Sequence, residues 1–338
     1  MLKRLLIFLA LSILLSACTR QTTFETITFS SWGSITETKI INKLINDFEK
    51  QNPDIKVNFI HIPQNYFQKI HLLFASSTPP DVIFINNLYL PVYVNQLMEL
   101  DTIIDKQDFF SQSIEALSIN NKLYAVPRDI SNLVFYYNKN IVGELNSNWT
   151  FEDFNCIIQK PQKANVWNLS YERDIYLASP YITTLGFEKG IQFYKDIEGK
   201  VTPKPSDIGS LTLAQMFINE QIGLYLSGRW MYPKIKESVK FPYGIITFPG
   251  ITNSDASGWA ISKNTKHKDA SVRFIKFLSS KENIDYFTET GLIIPARIDS
   301  SKSIKETEFL KAIEKSKANN VDKNYNKYRD NLNKFIWK

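Results

Sequence analysis

Short apolar runs alternate with amphipathic stretches along the chain from Phe24 onward. Residues 26–30 have the apolar and β-branched composition of a strand. In the segment that follows, apolar residues recur at the three- and four-residue spacing of a helix, at Ile40, Ile41, Leu44, Ile45 and Phe48. Asn52-Pro53 predicts the end of this helix, because proline does not continue it. The alternation predicts an α/β fold with mainly parallel sheets flanked by helices.

The same alternation continues through the rest of the chain. Residues 81–85 form a continuous apolar run, which is typical of a parallel strand buried on both faces. Residues 119–127 contain a polar turn between two short apolar runs and predict a hairpin. The other predicted strands are residues 55–60, 133–139, 222–226, 243–248 and 259–262, and the other predicted helices are residues 66–75, 188–197, 211–219, 230–239, 269–278 and 281–290. A chain of 338 residues predicts about two domains.

The amino-terminal residues predict export. Two basic residues precede an apolar run at residues 5–15, which is shorter than the roughly 20 residues that a membrane-spanning helix requires. The run ends in Leu15-Ser16-Ala17-Cys18, which resembles a bacterial lipobox. The resemblance implies a lipoprotein signal peptide at residues 1–17, a lipid on Cys18 and a tether at residues 18–23. The mature protein is therefore expected to be exported and lipid-anchored to a membrane, in the periplasm or at the cell surface.

Charge and cysteine content exclude several classes of protein. The formal net charge is +6, of which Lys3 and Arg4 account for two, so the chain after the signal carries +4. Basic and acidic residues are interleaved, which does not predict a nucleic-acid-binding surface. With Cys18 carrying a lipid, Cys156 is the one cysteine left, and no disulfide is expected. Cys156 is expected to be a small buried residue rather than a nucleophile.

No motif for catalysis or for a cofactor is visible in the sequence. The three histidines, His61, His71 and His267, lie on separate predicted elements, without the spacing of metal ligands or of a catalytic triad. The chain has no glycine-rich phosphate loop, zinc-binding cysteine set or paired-carboxylate motif. The sequence therefore predicts a protein that is not an enzyme and that uses neither a metal nor a cofactor.

Eight landmarks, taken in order, resemble one family of proteins. They are Ser31-Trp32-Gly33, residues 48–55, residues 75–82, residues 123–127, residues 135–139, Ser227-Gly228-Arg229-Trp230, residues 258–263 and residues 291–297. Their joint order behind a lipobox is similar to that of the family 1 extracellular solute-binding proteins of ABC importers. That family includes maltose-binding and glycerol-3-phosphate-binding proteins. The resemblance covers nearly the whole mature chain.

The resemblance implies a two-lobed α/β fold of the periplasmic-binding-protein type, with a ligand cleft between the lobes. Lobe 1 is expected at residues 24–130 and 250–293, and lobe 2 at residues 131–249 and 297–338. Strands are expected to cross between the lobes near residues 129–132, 248–250 and 293–296. Between Asn138 and Ile222 the chain is shorter than is usual in the family. The resemblance therefore defines the lobe 2 wall of the cleft least well.

Ligands of open α/β sheets bind at the carboxyl ends of strands, where loops and helix amino termini present polar groups. This rule selects the residues that we expect to contact a ligand. They are Trp32, Gly33, Ser34, Asn86, Asn87, Asp129, Ser131, Asn132, Gly228, Arg229, Trp230, Gly258, Trp259 and Arg297. Tyr66 joins them because it resembles a ligand-facing tyrosine of the glycerol-phosphate-binding subgroup.

Several of these residues have an alternative role that the sequence leaves open. Trp230, at a strand-to-helix corner, is expected to lay its ring against a sugar, but tryptophans are also buried for packing alone. Asn86 and Asn87 either bind hydroxyl groups or cap a helix. Arg229 and Arg297 would grip a phosphate or carboxylate if they face the cleft. A third arginine, Arg128, is expected to pair with the neighbouring Asp129 instead.

The sequence as a whole predicts a monomeric binding protein whose lobes close over a small polar solute and deliver it to an ABC permease and its ATPase. A neutral sugar or oligosaccharide is the leading ligand. Glycerol-3-phosphate or a glycerophosphodiester is the alternative within transport. A surface sensor or adhesin that has kept the binding fold is the alternative outside transport.

Overall fold

A computed structural model of the protein describes residues 24–337. The strands are β1 (Glu25–Ser31), β2 (Ile55–His61), β3 (Val82–Asn86), β4 (Ser118–Ile119), β5 (Lys122–Leu123), β6 (Val126–Ser131), β7 (Val134–Asn138), β8 (Trp167–Leu169), β9 (Ile222–Ser227), β10 (Tyr243–Thr247), β11 (Thr252–Ile261), β12 (Ile294–Pro295) and β13 (Ser316–Ala318). The helices are α1 (Ile35–Gln51), α2 (Tyr66–Ala75), α3 (Leu90–Tyr93), α4 (Ser111–Ala116), α5 (Lys139–Val142), α6 (Phe151–Ile158), α7 (Ile175–Leu185), α8 (Phe187–Asp196), α9 (Pro205–Ile208), α10 (Leu213–Ile218), α11 (Tyr232–Ser238), α12 (Lys268–Leu278), α13 (Lys281–Glu289), α14 (Ile298–Ser301), α15 (Glu308–Glu314) and α16 (Tyr325–Ile336). Short 3-10 turns lie at Val94–Gln96, Lys106–Asp108 and Arg229–Met231.

The larger sheet has seven strands, and we call the part of the protein built on it lobe 1. Its order is β12-β6-β11-β3-β1-β2, and β13 pairs separately with β11. β1 is parallel to β2 and β3, whereas β11 is antiparallel to β3 and β6. Helices α1 and α12 cover this sheet, because Leu44 and Phe48 of α1 and Phe274 of α12 share a buried core with Phe29 of β1.

The smaller sheet has four strands in the order β10-β7-β9-β8, and it forms the basis of lobe 2. β8 and β9 are parallel, whereas β7 is antiparallel to both β9 and β10. A hydrophobic core lies on each face of this sheet. Phe135 of β7 packs in one core with Phe154, and its neighbour Tyr136 packs in the other with Phe217. Alternate side chains of one strand therefore fill opposite faces, as the pleat requires.

Three connections join the lobes. Only Asn132 and Leu133 separate β6, which lies in the larger sheet, from β7, which lies in the smaller sheet. Residues 248–251 make the return connection between β10 and β11. β12 then pairs with β6 through Ile294 and Ile130, and both side chains are buried in a lobe 2 core. The two sheets are therefore held next to each other along the crossing strands.

The prediction of a two-lobed α/β fold is confirmed, and the predicted segments at residues 26–30, 55–60 and 66–75 match β1, β2 and α2 closely. The prediction of mainly parallel sheets holds for β1 to β3 but is wrong for the smaller sheet. The chain enters that sheet through crossing strands rather than through strand-helix-strand units, so its central strand β7 has antiparallel neighbours. Helix α7 was not predicted, and it contains Pro180, a residue that is unfavourable inside a helix.

The expectation of a buried Cys156 is wrong. The side chain is exposed on α6, because Phe154, Ile157 and Ile158 occupy the buried face of this amphipathic helix. Within residues 24–337, no helix combines the length and the apolar character needed to span a bilayer. The predicted signal peptide and Cys18 lie outside the described residues.

Candidate functional site

A cavity of about 220 Å³ lies beside the crossing strands and is lined by residues of both lobes. Its lining comes from the loop after β1, the first turn of α1, strand β6, the turn after β9 and the segment before β12. The lining residues are Trp32, Glu37, Arg128, Asp129, Ile130, Ser131, Arg229, Trp230, Ser257, Leu292, Ile293 and Ile294. The structure thus brings five of the predicted residues together, namely Trp32, Asp129, Ser131, Arg229 and Trp230.

Three charged side chains form an ion-pair cluster on the lobe 1 side of this cavity. Arg128 Nε donates to Asp129 Oδ2 at 2.6 Å, and Arg128 Nη2 lies 3.3 Å from Glu37 Oε1. The guanidinium carbon of Arg128 lies 4.1 Å from the ring centroid of Phe84 and 5.1 Å from that of Phe287. The arginine side chain is only 5% exposed. The cluster contains two carboxylates for one guanidinium, so it presents negative charge and hydrogen-bond acceptors to the cavity.

Local structure positions both carboxylates. Glu37 lies in the first turn of α1, where its backbone N–H donates to Ser34 Oγ and its Oε2 accepts from the Ser34 N–H at 2.9 Å. This capping box leaves the other carboxylate oxygen, Oε1, directed at Arg128. Asp129 lies on the crossing strand β6. Burial raises the pKa of the Asp129 carboxyl above its ordinary value, and the adjacent guanidinium opposes this shift.

Two tryptophans line the cavity, one from each lobe. Trp32 follows β1, and its ring packs on Phe84 with the ring centroids 4.4 Å apart. Trp230 follows β9 and is 42% exposed, which is unusual for so large an apolar side chain. Its ring folds over Gly228, where an added Cβ would lie only 1.9 Å from a ring atom. Gly228 therefore supports the site by making room for Trp230, and the exposed part of that ring remains available for contact.

Arg229 borders the cavity, but protein groups occupy its guanidinium. Nη1 donates to the carbonyl oxygen of Ile293, and Nη2 lies 3.8 Å from the carboxylate of Glu306. The guanidinium carbon lies 5.7 Å from the ring centroid of Phe309. Burial lowers the pKa of Arg229, because the charged form is poorly solvated there. Its Nε is buried and has no hydrogen-bond partner among the described residues.

Arg297 does not line the cavity. Its Nε and Nη2 donate to the carboxylate of Asp299 at 3.0 and 2.9 Å, and Nη2 also donates to Asp108 at 3.1 Å. Its guanidinium carbon lies 5.3 Å from the ring centroid of Phe109. The hydrogen bonds to Asp299 raise the pKa of Arg297. The expected ligand contact is therefore corrected to a salt-bridge role that ties the segment after β12 to lobe 1.

Three further predicted residues serve the core of lobe 1 instead of the cavity. Tyr66 is 6% exposed, its hydroxyl group hydrogen-bonds to Ser30, and burial raises its pKa. Trp259 is 1% exposed and belongs to the core beneath the larger sheet. Gly258 allows β11 to approach β6 closely, since an added Cβ would lie 2.1 Å from the carbonyl oxygen of Val126. The expected ligand contacts of these three residues are corrected accordingly.

Gly33 and Ser34 act on the site indirectly. Gly33 has a φ of 141°, a conformation that favours glycine, and its carbonyl oxygen lies 3.0 Å from His61 Nε2. Ser34 caps α1. Neither residue lines the cavity, but together they set the start of the helix that carries Glu37. Their predicted direct contact with a ligand is corrected to this supporting role.

The two asparagines after β3 are engaged by the protein. Asn86 Oδ1 accepts from the backbone N–H of Tyr89 at 3.2 Å. Asn87 is 2% exposed, and its Nδ2 donates to Asp255 Oδ1 at 2.9 Å and to the carbonyl oxygen of Asn319 at 2.8 Å. Asn86 therefore stabilises the turn before α3 without capping the helix, and Asn87 belongs to a buried polar network beside the crossing strands. Neither asparagine lines the cavity of about 220 Å³.

Asn132 lies between the lobes but makes no polar contact there. It is 1% exposed, and neither its amide nitrogen nor its amide oxygen has a hydrogen-bond partner within residues 24–337. Burying an unpaired polar group costs about 1–3 kcal/mol. Asn132 also does not line the cavity. The structure therefore places it in the hinge region, in contrast to its predicted contact with a ligand.

Sequence reasoning missed several lining residues. Ser257, Leu292 and Ile293 reach the cavity from strand and loop positions that carry no local motif. Arg128 was expected only to pair with Asp129, and that ion pair is confirmed. Glu37 had a usable signal, because a serine three residues before a glutamate predicts a capping box that would fix the glutamate one turn after Trp32.

Larger cavities lie elsewhere among the described residues, of about 820, 600 and 570 Å³ on lobe 1 and about 330 Å³ on lobe 2, and two of those on lobe 1 include a predicted residue. One, of about 820 Å³, is bordered by α4 and the β4–β5 turn and includes a single predicted residue, Asn87. The other, of about 600 Å³, is bordered by α2 and α3 and includes a single predicted residue, Tyr66. The tryptophans and the ion-pair cluster meet only at the smaller cavity, which is therefore the candidate site. Among the described residues, no group of His, Cys, Asp and Glu side chains is arranged to hold a metal ion.

Two curated proteins of related sequence match this chain. The galactooligosaccharide-binding protein of Bacillus subtilis is 25% identical over 266 residues, which is 77% of this chain and 57% of that protein. The maltodextrin-binding protein MdxE of Bacillus subtilis is 23% identical over 320 residues, which is 81% of this chain and 74% of that protein. The match to the first relative thus spans little more than half of that relative's length.

Solved structures show the same fold. An ABC substrate-binding protein of Listeria monocytogenes, in complex with cycloalternan, matches with a TM-score of 0.79 and 22% identity over 92% of each chain. The sugar-binding protein MalE of Xanthomonas citri matches with a TM-score of 0.79 and 21% identity, over 92% of this chain and 91% of that one. Residues 32–285 also match the family model described as bacterial extracellular solute-binding protein, which covers about three quarters of the sequence. With two lobes, crossing strands and a cavity between them, the chain belongs to the bacterial extracellular solute-binding proteins.

Proposed function

We propose that this protein captures a neutral sugar or oligosaccharide between its lobes and delivers it to the permease and ATPase of an ABC importer. The observation that carries the proposal is the composition of the cavity. Trp32 and Trp230 supply aromatic faces, and Glu37 and Asp129 supply hydrogen-bond acceptors. Sugars present C–H faces that stack on aromatic rings and hydroxyl groups that donate to carboxylates.

The state of the arginines argues against the phosphorylated alternative. A phosphate needs uncommitted guanidinium donors, and a single buried N–H, that of Arg229 Nε, lacks a hydrogen-bond partner among the arginines of the described residues. Arg128 is paired with two carboxylates, Arg229 donates to the Ile293 carbonyl and lies near Glu306, and Arg297 is paired away from the cavity. Two carboxylates, Glu37 and Asp129, balance the two arginines of the lining, so glycerol-3-phosphate or a glycerophosphodiester would meet no net positive charge there. The relatives named for galactooligosaccharide and maltodextrin binding favour the neutral ligand as well.

Capture follows from the two-lobed architecture. A ligand that contacts Trp32 on lobe 1 and Trp230 on lobe 2 has more contacts when the lobes are together, so its binding shifts the population toward the closed form. The crossing strands around Asn132 are the elements that would absorb the rotation. No step in this cycle requires a covalent reaction. The closed form is the state that would dock on the permease.

Two finer assignments belong to this proposal. We infer that lobe 1 comprises residues 24–130 and 250–293, that lobe 2 comprises residues 131–249 and 297–338 apart from β13, which pairs with β11 of lobe 1, and that the protein acts as a monomer. We also infer that a lipid on Cys18, at the end of the predicted signal peptide, holds the exported protein at a membrane. The Leu15-Ser16-Ala17-Cys18 sequence supports the anchor, and acyl-chain labelling of the protein in cells tests it.

The alternative of a surface sensor or adhesin is tested by the genes next to the one that encodes this protein. Neighbouring permease and ATPase genes would favour import over that alternative.

A thermal-shift screen tests the choice of ligand. Neutral mono- and oligosaccharides are compared with glycerol-3-phosphate and glycerophosphodiesters on the soluble domain. At a ligand concentration of 100 times Kd, binding stabilises the folded state by about 2.7 kcal/mol, which corresponds to a rise in Tm of about 4 °C. We expect such a rise with at least one neutral saccharide and none with the phosphorylated polyols. A rise with the phosphorylated compounds alone would transfer the assignment to the anionic class.

A further inference from the structure

A buried carboxyl group lies where the two lobes meet. It belongs to Asp255 on β11, the strand that follows the return connection from lobe 2, and its side chain is 8% exposed. Asp255 pairs across the larger sheet with Ser131 of β6. Ser131 lines the cavity of about 220 Å³ between the lobes, which we call the cleft cavity. A movement of the lobes about the crossing strands therefore takes place close to this carboxyl group.

Groups from both lobes cover Asp255. Asn87, which follows β3 of lobe 1, donates from its Nδ2 to Asp255 Oδ1 at 2.9 Å. Asn319, which follows β13, donates from its Nδ2 to the same oxygen at 2.9 Å. Tyr176, on α7 of lobe 2, hydrogen-bonds to the carboxyl group through its hydroxyl group. The contact between Tyr176 and Asp255 joins the two lobes directly.

The positive charge nearest to Asp255 is already paired with another carboxylate. Arg329 of α16 donates from Nε and Nη2 to the two carboxylate oxygens of Asp174, at 3.1 and 2.5 Å. Its guanidinium carbon lies 5.5 Å from the ring centroid of Tyr176, and Tyr325 of the same helix also faces Asp255. Within residues 24–337, no cationic side chain forms a salt bridge with Asp255. The ionised carboxylate is therefore stabilised mainly by neutral donors.

The burial of Asp255 links its protonation to the position of the lobes. Burial raises the pKa of the Asp255 carboxyl above its ordinary value, and the hydrogen bonds from Asn87, Asn319 and Tyr176 oppose this shift. Separation of the lobes would withdraw Tyr176 and admit water, so the pKa would return towards its ordinary value. A group with a higher pKa in one of two arrangements binds protons more tightly there, and protonation favours that arrangement. For Asp255 this is the arrangement with the lobes together.

The hydrogen-bond pattern also accommodates the neutral form of Asp255. Both amides donate to Oδ1, so a proton on Oδ2 leaves both of these bonds intact. The protonated Oδ2 would donate to the hydroxyl oxygen of Tyr176, because a phenol can either donate or accept. The neutral form therefore keeps a contact with lobe 2 and avoids the cost of burying a charge.

We propose that protonation of Asp255 holds the lobes together, so that the protein binds its ligand more tightly as the surroundings become more acidic. The proposal rests on the proposed function, since it regulates the closure that captures the sugar. Asp255 does not line the cleft cavity. It therefore acts through the position of the lobes, and we treat it as a positioning residue.

Calorimetric titration at pH 5.0 and pH 7.5, with the saccharide that raises Tm most, tests the proposal. Asp255→Asn represents the neutral form at every pH, because the amide oxygen accepts from Asn87 and Asn319 and the amide nitrogen donates towards Tyr176. At pH 7.5 we expect this variant to bind at least about threefold more tightly than the unaltered protein, and at pH 5.0 to differ from it by less than about twofold. Comparison at one pH cancels the titration of other groups, such as Asp129 in the cleft cavity.

Two further variants complete the design. Tyr176→Phe removes the hydroxyl group that contacts Asp255 and should reduce the change in Kd between the two pH values. The matched control is Asp54→Asn, which removes an exposed carboxylate that pairs with Arg273. This control should keep the pH dependence of the unaltered protein.

Solution scattering of the sugar-free protein gives a readout that needs no ligand. We expect the unaltered protein to have a smaller radius of gyration at pH 5.0 than at pH 7.5, and Asp255→Asn to have the smaller value at both. If Asp255→Asn and Tyr176→Phe match the unaltered protein in Kd and in radius of gyration at both pH values, the proton control is excluded while sugar binding stands. If no sugar binds but the radius of gyration still depends on pH and on Asp255, the proposed function is contradicted and the control of the lobes is supported.

Discussion

Trp230→Ala is expected to weaken binding of the sugar ligand by about 1–3 kcal/mol, or roughly 5- to 150-fold in Kd. The ring is 42% exposed beside the cleft cavity, and the absence of a side chain at Gly228 allows it to fold there. Trp230 belongs to none of the hydrophobic cores of residues 24–337, so its removal is expected to affect ligand binding much more than the stability of the fold. Calorimetric titration with the saccharide that raises Tm most measures the effect.

The control for this prediction is Phe335→Ala, which removes a 76% exposed aromatic side chain from α16 of lobe 2. For both variants, the free energy of unfolding is expected to lie within about 0.5 kcal/mol of that of the unaltered protein, as is usual for surface substitutions. Only Trp230→Ala should change Kd. If its affinity equals that of the control, Trp230 does not contact the ligand and the aromatic part of the site is assigned wrongly.

Arg128→Met is expected to destabilise the protein by about 3–5 kcal/mol, which is the usual cost of removing one partner from a buried ion pair. The change leaves the carboxylates of Glu37 and Asp129 close together without their cation, and it removes the guanidinium from between Phe84 and Phe287. Thermal and urea unfolding at pH 7 measure the loss, which should lower Tm by about 4–7 °C.

The pH dependence gives this prediction a second readout. Burial already raises the pKa of Asp129 in the folded protein, and loss of Arg128 raises it further. A carboxyl with a raised folded-state pKa costs stability while it is ionised, and the cost falls as the pH drops through that pKa. The loss in free energy of unfolding caused by Arg128→Met should therefore be smaller at pH 5 than at pH 7.

Arg273→Ala is the matched control, because it breaks an ion pair with Asp54 in which both side chains are well exposed. Exposed pairs contribute about 0–1 kcal/mol, so this variant should unfold close to the unaltered protein at both pH values. If Arg128→Met is as stable as Arg273→Ala, the ion pairs of Arg128 contribute no more to the stability of the fold than an exposed ion pair does.

The fold was largely accessible from the sequence because hydrophobic periodicity reports burial directly. The spacing from Ile40 to Phe48 follows one buried face of α1, and the apolar run at residues 81–85 becomes the fully buried β3. The direction of strands in the smaller sheet was not accessible in this way. A strand such as β7 is apolar on both faces whether its neighbours run parallel or antiparallel, so the pattern does not distinguish them.

The site was accessible only in part. Trp32 and Trp230 each follow a strand. Trp259 instead lies within β11 and packs inside the core. Which of three similar tryptophans stays exposed depends on tertiary packing. Asn87 was misjudged for the same reason, because its partner Asp255 is distant in sequence. Arg297 pairs with Asp108, which is also distant, as well as with Asp299, which is two residues away.

Solution scattering with and without the bound saccharide tests most directly whether two lobes close over a sugar. The chain from residue 24 onward is measured at a saturating concentration of the sugar that stabilises it, and again without sugar. The account predicts a smaller radius of gyration in the sugar-bound sample, with a profile that fits the described arrangement in which both lobes line one cavity. Equal radii of gyration in the two samples, at a concentration where calorimetry shows full binding, would contradict it.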